Sequence, residues 1–255
     1  MTRLLQRLDA SGAPDAARPL DADVGDALAA GLLGPPPADL PAFEGAFIAH
    51  VQAGHPDPLV AWDSFYDATL ARVDRAWGLE VPGEGTVATF TRIWSRAASL
   101  SLGGTVLDVG ACFGFLALAW AARPGSPRLL SVDRCEASAA LAGRQSRRLR
   151  RPVGTLCADG TALPLADRAV DTVLVLHVLE HLDPAAADDL LREALRVAHR
   201  RVVVAVPVEA EPDPTYGHVQ VFDAPALARL GQATGWATRV DVADGAWLVL
   251  DRPAG

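Results

Sequence analysis

The sequence contains no lysine and no asparagine, so all 23 of its basic residues are arginines. With 31 acidic residues the formal net charge is −8. This charge argues against a general nucleic-acid-binding protein, because such proteins need a positive surface for the phosphate backbone. The bias towards Arg, Ala, Asp, Pro and Gly is typical of a GC-rich bacterial genome, which concerns the origin of the protein rather than its function.

Cysteines and long apolar runs are scarce as well. Cys112, Cys135 and Cys157 form an odd number without paired spacing, as expected of reduced thiols. The longest uncharged stretch near the core, residues 109–122, is too short to cross a bilayer. The first nine residues lack the apolar centre of a signal peptide. We therefore expect a cytoplasmic protein with no membrane partner.

The sequence does contain a series of short apolar runs that end in polar residues. In residues 106–115 (VLDVGACFGF), such a run leads through Asp108 into a glycine-rich turn and then a helix-forming stretch. The dinucleotide-binding pattern Gly-x-Gly-x-x-Gly fits poorly here, because only Gly110 of its three glycines is present. The pattern Asp-x-Gly-x-Gly-x-Gly fits at every position except Cys112. A nucleotide pocket of a different class is therefore indicated.

This second pattern resembles motif I of the class I S-adenosylmethionine (SAM) methyltransferases. The next two apolar runs end at Asp133 and Asp159, in the order that this family shows. The resemblance implies that Asp133 binds the ribose hydroxyls of SAM and that Asp159 binds the adenine amine. It covers about residues 85–250, and five weak motifs in the family's order make it specific.

The resemblance also implies which residues surround the cofactor. Asp108 would bind near the amino-acid part of SAM, directly or through the loop, and the glycines would allow close backbone approach. At Cys112 a side chain stands where the backbone usually approaches, which puts the turn geometry in question. For Asp108 and Asp159 the simpler alternative is that each carboxylate caps the following turn. The expected cofactor-binding residues are Asp108, Gly110, Ala111, Cys112, Gly114, Asp133, Arg134, Asp159, Gly160 and His177.

Two histidines follow the fourth apolar run, in residues 177–181 (HVLEH). As a string this matches the zinc-peptidase signature His-x-x-Glu-His, which requires an α-helix, whereas the preceding residues have a β pattern. We therefore assign no metal ligands, and the sequence leaves the metal requirement open. In the methyltransferases this segment lines the active site, so His181 is the expected general base and His177 is expected beside the cofactor. A purely structural role is the alternative for either histidine.

The segment after the fifth apolar run, residues 207–219, is unusually polar. Ligands bind at the carboxyl ends of parallel strands, so its acids, Tyr216 and His218 could bind a polyol there. The alternative is a solvated loop. We name His218 as the second candidate for the base and Glu209 as a further catalytic candidate.

Strands that alternate with helices predict an α/β protein: a doubly wound, seven-stranded, mostly parallel sheet with a helical N-terminal extension. We expect residues 1–84 to form this extension and to cover the SAM cleft, and residues 85–255 to form the methyltransferase domain. Residues 9–40, rich in Asp, Ala, Pro and Gly, are expected to be loosely ordered or to lie along the surface. Residues 236–241 and 246–250 should form the reversed final hairpin typical of the family.

These patterns indicate a SAM-dependent methyltransferase that O-methylates a small glycosylated molecule. Residues 109–115, 177–181, 207–209, 216–219 and 222–223 are similar to segments of the mycofactocin oligosaccharide methyltransferases. Those enzymes modify the glucose chain of an actinobacterial redox cofactor. The alternatives are a natural-product or quinone-type methyltransferase and a SAM-binding pseudoenzyme that regulates a partner. No nucleic-acid partner is expected, and the sequence leaves open whether the chain forms a homodimer.

Overall fold

The computed structural model describes residues 21–79 and 85–253 of the chain. The expectations for residues 1–20 and 80–84 lie outside these ranges. The described helices are α1 (Val24–Ala29), α2 (Leu40–Ala53), α3 (Pro58–Ala76), α4 (Thr86–Leu100), α5 (Phe115–Ala121), α6 (Glu136–Leu149), α7 (Pro184–Val197) and α8 (Ala224–Ala233). The described strands are β1 (Thr105–Val109), β2 (Arg128–Asp133), β3 (Val153–Cys157), β4 (Val170–Leu176), β5 (Ala198–Val206), β6 (Ala237–Val242) and β7 (Ala246–Asp251).

The described strands form one seven-stranded sheet in the order β3-β2-β1-β4-β5-β7-β6. Strands β1 to β5 pair in parallel. Strand β7 is antiparallel to both β5 and β6, which makes it the reversed strand of the final hairpin. The prediction of a doubly wound, mostly parallel sheet of seven strands is confirmed.

The central strands are apolar because helices cover both faces of the sheet. Strand β4 and the second half of β5 are almost completely buried. Helix α7 shows how the sequence starts a covering helix: Asp183 is the N-cap, and its Oδ1 accepts a hydrogen bond of 2.9 Å from the Ala186 amide. Pro184 occupies the first helical position, where no intrahelical amide bond is lost. The apolar face of α7 then packs on the sheet.

The chain divides into two compact units. The first comprises the residues up to 92 together with residues 213–217, and the second comprises residues 93–212 and 218–255. The core of the first unit is rich in aromatic rings that meet edge to face, with centroids 5.5 to 6.0 Å apart. These rings belong to Phe47, Trp62, Phe65 and Tyr66. The predicted cofactor-binding and catalytic residues lie in the second unit, whereas Asp213 and Tyr216 of the polar segment belong to the first.

Part of the segment expected to be loosely ordered or to lie along the surface forms helix α1, Val24–Ala29. Helix α1 buries Val24 and Leu28. The carboxylate of the preceding residue, Asp23, is also buried; it accepts a hydrogen bond of 2.8 Å from the Val87 amide and pairs with Arg72 Nη1 at 2.6 Å. Composition alone could not reveal this, because both partners of Asp23 lie far away in the sequence.

Among the described residues, no helix is both long and apolar enough to cross a membrane.

Candidate functional site

Three of the predicted acidic residues lie at the carboxyl ends of neighbouring strands. Asp108 is the penultimate residue of β1, Asp133 is the last residue of β2, and Asp159 follows β3 by two residues. Because β2 pairs in parallel with both β1 and β3, the three acids share one edge of the sheet. Open parallel sheets bind their ligands at this edge.

The glycine-rich turn after β1 is fixed by backbone hydrogen bonds. The amides of Gly110 and Ala111 both donate to the Val132 carbonyl of β2, at 2.9 and 3.0 Å. Gly114 donates to the Ala111 carbonyl at 2.8 Å and then starts helix α5. The turn is thus held in place by the neighbouring strand and presents the start of α5 at the sheet edge.

The two glycines of this turn are required by the protein itself. Both have left-handed backbone angles, with φ of 71° at Gly110 and 70° at Gly114. A Cβ atom at Gly110 would lie only 2.5 Å from Val178 Cγ2, and one at Gly114 would lie 2.9 Å from Ala142 Cβ. We expected glycines here because of close cofactor approach, but internal packing already excludes larger residues. The contact with Val178 also links the turn to the segment after β4.

Cys112 takes over the role of the missing glycine in this turn. Its φ is 49°, the left-handed conformation that glycine adopts most easily. Its amide donates a hydrogen bond of 2.7 Å to Asp133 Oδ2. A left-handed non-glycine residue costs about 1–3 kcal/mol, and the turn forms despite this strain.

The Asp133 carboxylate connects two loops of the candidate cofactor site. Its Oδ2 accepts from the Cys112 amide, and its Oδ1 accepts from the Cys135 amide at 2.8 Å. A carboxylate oxygen can accept more than one hydrogen bond, so both oxygens can still bind a ribose hydroxyl. The arrangement therefore fits the predicted role of Asp133 and adds a structural role that the sequence did not indicate.

Asp159 caps its own turn, as the simpler alternative predicted. Its Oδ1 accepts from both the amide and the hydroxyl of Thr161, each at 2.8 Å. These hydrogen bonds hold the pKa of Asp159 below its usual value, and attraction to Arg134 adds to the effect. A Cβ at Gly160 would lie 2.8 Å from Val109 Cγ1, so this position also favours glycine. A contact with adenine would use the other carboxylate oxygen of Asp159.

Asp108 is the most strongly perturbed acid of the site. It is only 5% exposed, and burial raises its pKa to about 7, with repulsion by Asp133 as a smaller contribution. A cationic ligand would favour the ionised form. SAM carries positive charge on its sulfonium and on its amino group, so a buried carboxyl at this position fits that cofactor.

The segment after β4 begins with a sharp bend. His177 has a left-handed φ of 54°, and its amide donates to the Ala205 carbonyl of β5 at 2.8 Å. Its Nδ1 lies 3.3 Å from Glu180 Oε1. Leu179–His181 then form a single 3₁₀ turn, which His177 precedes. The two histidines therefore do not share the face of an α-helix, as a zinc peptidase would require.

The three predicted catalytic residues come together in the second unit. The rings of His181 and His218 meet edge to face, with centroids 4.9 Å apart and an interplanar angle of 73°. Nδ1 of His218 lies 2.8 Å from Glu209 Oε2. A carboxylate in this position orients the imidazole and fixes its tautomer. Such a pair can accept a proton through the other ring nitrogen.

Two residues at this cluster were not among the predicted site residues. Glu180 is buried, and its carbonyl accepts from the Val219 amide at 2.8 Å. Gln220 Nε2 donates to the carbonyls of Leu179 and Leu182, at 3.0 and 2.8 Å. Glu180 could have been found, since it belongs to the HVLEH string, whereas no sequence signal points to Gln220. These bonds join the segments that carry His181 and His218.

The chain is similar to known proteins in both sequence and fold. Residues 107–206 match the family model described as a methyltransferase domain. An uncharacterized methyltransferase of Mycobacteroides abscessus is 38% identical over 101 residues, which are 39% of this chain and 38% of that protein. One of Mycobacterium sp. strain JLS is 38% identical over 103 residues, 40% of this chain and 38% of that protein. The chain thus spans under two fifths of the length of these curated relatives.

Solved structures show the fold. Magnesium protoporphyrin IX methyltransferase of Synechocystis, with bound S-adenosylhomocysteine, has a TM-score of 0.53 and 16% identity, covering 77% of this chain and all of that one. A SAM-dependent methyltransferase of Aquifex aeolicus has a TM-score of 0.50 and 21% identity, covering 61% and 85%. The cyclase SpnF has a TM-score of 0.57 and 19% identity, covering 71% and 87%. The fold is therefore that of the class I methyltransferases. A fold does not by itself determine the reaction, which depends on the residues of the site.

Proposed function

We propose that this chain is a SAM-dependent methyltransferase that O-methylates a hydroxyl of a small glycosylated molecule. The observation that carries the proposal is the turn after β1, whose Cys112 amide is tied to the terminal carboxylate of β2, Asp133. This arrangement stands at the ligand-binding edge of a class I methyltransferase fold. The match of residues 107–206 to a methyltransferase domain supports it independently.

In this proposal the cofactor lies across the ends of β1, β2 and β3. Asp133 would bind the ribose, Asp159 the adenine amine, and Asp108 the region near the amino-acid part. When bound, SAM supplies a methyl group whose leaving group is the neutral thioether of S-adenosylhomocysteine. The contribution of the protein is to hold the acceptor oxygen in line with that methyl group and to exclude water.

The proposed acceptor is a hydroxyl, because the cluster of His181, His218 and Glu209 can remove a proton. An alcohol is a poor nucleophile until its proton leaves, and imidazole titrates nearest to neutral pH. The sequence indicated His181 as the base. In the structure the Glu209 carboxylate contacts His218 Nδ1, which makes His218 an equally good candidate for that role. In either case one imidazole takes the hydroxyl proton, and for His218 the resulting positive charge is balanced by Glu209.

For the substrate class, we propose a sugar chain such as the mycofactocin oligosaccharide. Three observations support this substrate class. The segment after β5 is polar, short segments of the sequence resemble mycofactocin oligosaccharide methyltransferases, and uncharacterized methyltransferases of mycobacteria are among the relatives of the chain. A reducing, cytoplasmic location is proposed because the three exposed cysteines, Cys112, Cys135 and Cys157, form no disulfide.

The test is methyl transfer by the purified full-length chain. The protein is incubated with SAM and, in separate reactions, short glucose oligosaccharides, the mycofactocin oligosaccharide, a glycosylated peptide and a quinol. Mass spectrometry should detect one added methyl group on a sugar hydroxyl. Methylation of the quinol alone would replace the proposed substrate class by the quinone type. SAM binding without transfer to any acceptor, including the mycofactocin oligosaccharide, would instead indicate a pseudoenzyme.

A further inference from the structure

The histidine cluster also has the composition of a metal site. Glu180, His181 and His218 each offer one ligand atom, and these three atoms lie within 4.8 Å of one another. Two imidazoles and a carboxylate are common ligands of divalent ions. The three residues come from two segments, the 3₁₀ turn after β4 and the polar segment after β5.

The carboxylate of Glu180 provides a second, independent indication of a cation. Its side chain is 1% exposed, and neither carboxylate oxygen has a hydrogen-bond partner among the described residues. Its ion-pair contact is His177 Nδ1, 3.3 Å from Oε1. Burying a carboxylate without hydrogen bonds is costly, and a bound cation offsets that cost. The acid therefore lies where a positive ion would be held strongly.

The protein holds the two ligand segments together before any ion binds. The Val219 amide donates to the Glu180 carbonyl at 2.8 Å. The Gln220 amide side chain bridges the carbonyls of Leu179 and Leu182, the residues on either side of Glu180 and His181. Only modest closure of the side chains would then be needed for all three ligand atoms to reach one ion.

Glu209 completes the arrangement from outside. Its carboxylate lies 2.8 Å from His218 Nδ1, so that nitrogen is the one that donates a proton. In that tautomer Nε2 carries the lone pair of the ring, and it is the nitrogen that can ligate an ion. A carboxylate behind a ligating histidine is the usual outer partner in metal sites, because it fixes the tautomer and raises the basicity of the ligand.

We propose that Glu180, His181 and His218 bind one divalent metal ion of the zinc, cobalt and nickel class. Imidazole ligands favour these ions over magnesium and calcium, which prefer sites built from oxygen. Three protein ligands leave a coordination position open, and His181 is exposed on that cluster. An acceptor hydroxyl can occupy the open position, where the ion lowers its pKa.

Ion binding itself needs no methyl transfer, so only its catalytic role rests on the proposed function. A ligated His218 has no free lone pair at Nε2 for a proton. In the protein with a bound ion, the ion therefore activates the acceptor hydroxyl, whose proton leaves to water. In the ion-free protein, an imidazole removes that proton. A chelator distinguishes the two mechanisms. It lowers the rate of methyl transfer if the ion activates the hydroxyl and leaves the rate unchanged if an imidazole is the base.

The decisive experiment uses full-length protein without an affinity tag, stripped with a chelator and dialysed. Cobalt(II) is titrated in while visible absorption is recorded, and zinc(II) binding is followed by calorimetry. We expect one ion per chain and a cobalt spectrum that shows nitrogen ligands. Glu180→Gln should weaken binding by at least tenfold, and Glu209→Gln by about 10- to 100-fold. His199→Gln, an exposed histidine outside the cluster, is the control and should bind as the wild type does.

The same samples distinguish this inference from the proposed function. Equal cobalt affinity in wild type and Glu180→Gln, or no cobalt spectrum and no zinc heat in the wild type, overturns the metal site. If Glu180→Gln does not fold, the exposed His181→Gln serves in its place and should weaken binding likewise. SAM binding is measured in parallel: SAM binding without metal binding removes only the metal site, and metal binding without SAM binding removes only the proposed function.

Discussion

The turn after β1 and the cluster of His181, His218 and Glu209 after β4 and β5 follow strands of the same sheet, but different interactions fix their geometry. In the turn, backbone amides and glycines determine the geometry, and the Cys112 amide reaches the Asp133 carboxylate. In the cluster, side chains from two distant segments determine it, as in the contact of His218 with Glu209. The turn is suited to holding a constant ligand, and the cluster to chemistry that depends on individual side chains. Substitutions should therefore separate binding from catalysis.

The largest effect is expected in the cluster. Replacing the base, either His181 or His218, by Ala should lower kcat for the true acceptor by about 10²- to 10⁴-fold, the usual loss for a general base. Comparing His181→Ala with His218→Ala shows which histidine has that role. The Kd for SAM should stay close to that of the wild type, because neither side chain belongs to the turn. Stopped assays and calorimetry measure the two quantities, and His199→Ala is the control outside the cluster. If both variants keep wild-type kcat, the histidine account is wrong, and Glu209 or simple positioning must carry the chemistry.

An intermediate effect is expected in the turn, at Gly110. Gly110→Ala places a Cβ 2.5 Å from Val178 Cγ2 at a φ of 71°. Overpacking costs about 1–3 kcal/mol, and the left-handed backbone adds about 1–2 kcal/mol. Gly125→Ala is the matched control, because Gly125 has a φ of 73° but nothing within 4 Å of its Cβ position. Urea unfolding should show a larger loss for Gly110→Ala, together with weaker SAM binding. Equal losses would mean that the contact with Val178 is unimportant.

A smaller, pH-dependent effect is expected at Asp108, whose pKa is raised from 3.8 to about 7. The folded protein retains a proton that the unfolded chain loses, so this group lowers the free energy of unfolding as pH rises from about 4 to about 7. A cationic ligand favours the ionised form. SAM affinity should therefore rise with pH below 7, by up to about tenfold per pH unit, and level off above it. Calorimetry at several pH values checks this, and a slope that persists in Asp108→Asn would contradict it.

The same comparison explains what the sequence could reveal. The sheet, the reversed hairpin and the turn after β1 depend on local patterns: apolar runs, a glycine spacing and an acid at each strand end. The second role of Asp133, as acceptor for the Cys112 and Cys135 amides, was not visible, because it depends on how two loops meet. The glycine spacing pointed to Gly110, but its packing against Val178, in the segment after β4, could not be seen in the sequence.

The cluster of His181, His218 and Glu209 was harder to predict from the sequence, because only the tertiary structure brings these residues together. His181, His218 and Glu209 could be named one by one, since histidines and acids near strand ends are candidates for chemistry. Their contacts could not be predicted, because no periodicity relates residues in different loops. Glu180 is an example: it belongs to the HVLEH string, but only the structure shows that its carboxylate oxygens are buried without a hydrogen-bond partner among the described residues.

The most direct test of the account is calorimetry of SAM and NAD binding to the wild type and to Asp133→Ala. We predict that the wild type binds SAM and not NAD. Loss of the charged hydrogen bonds in Asp133→Ala should weaken SAM binding by about 1.5–3 kcal/mol, or roughly ten- to hundredfold. Absence of SAM binding to the wild type, or tight binding of NAD in its place, would contradict the account.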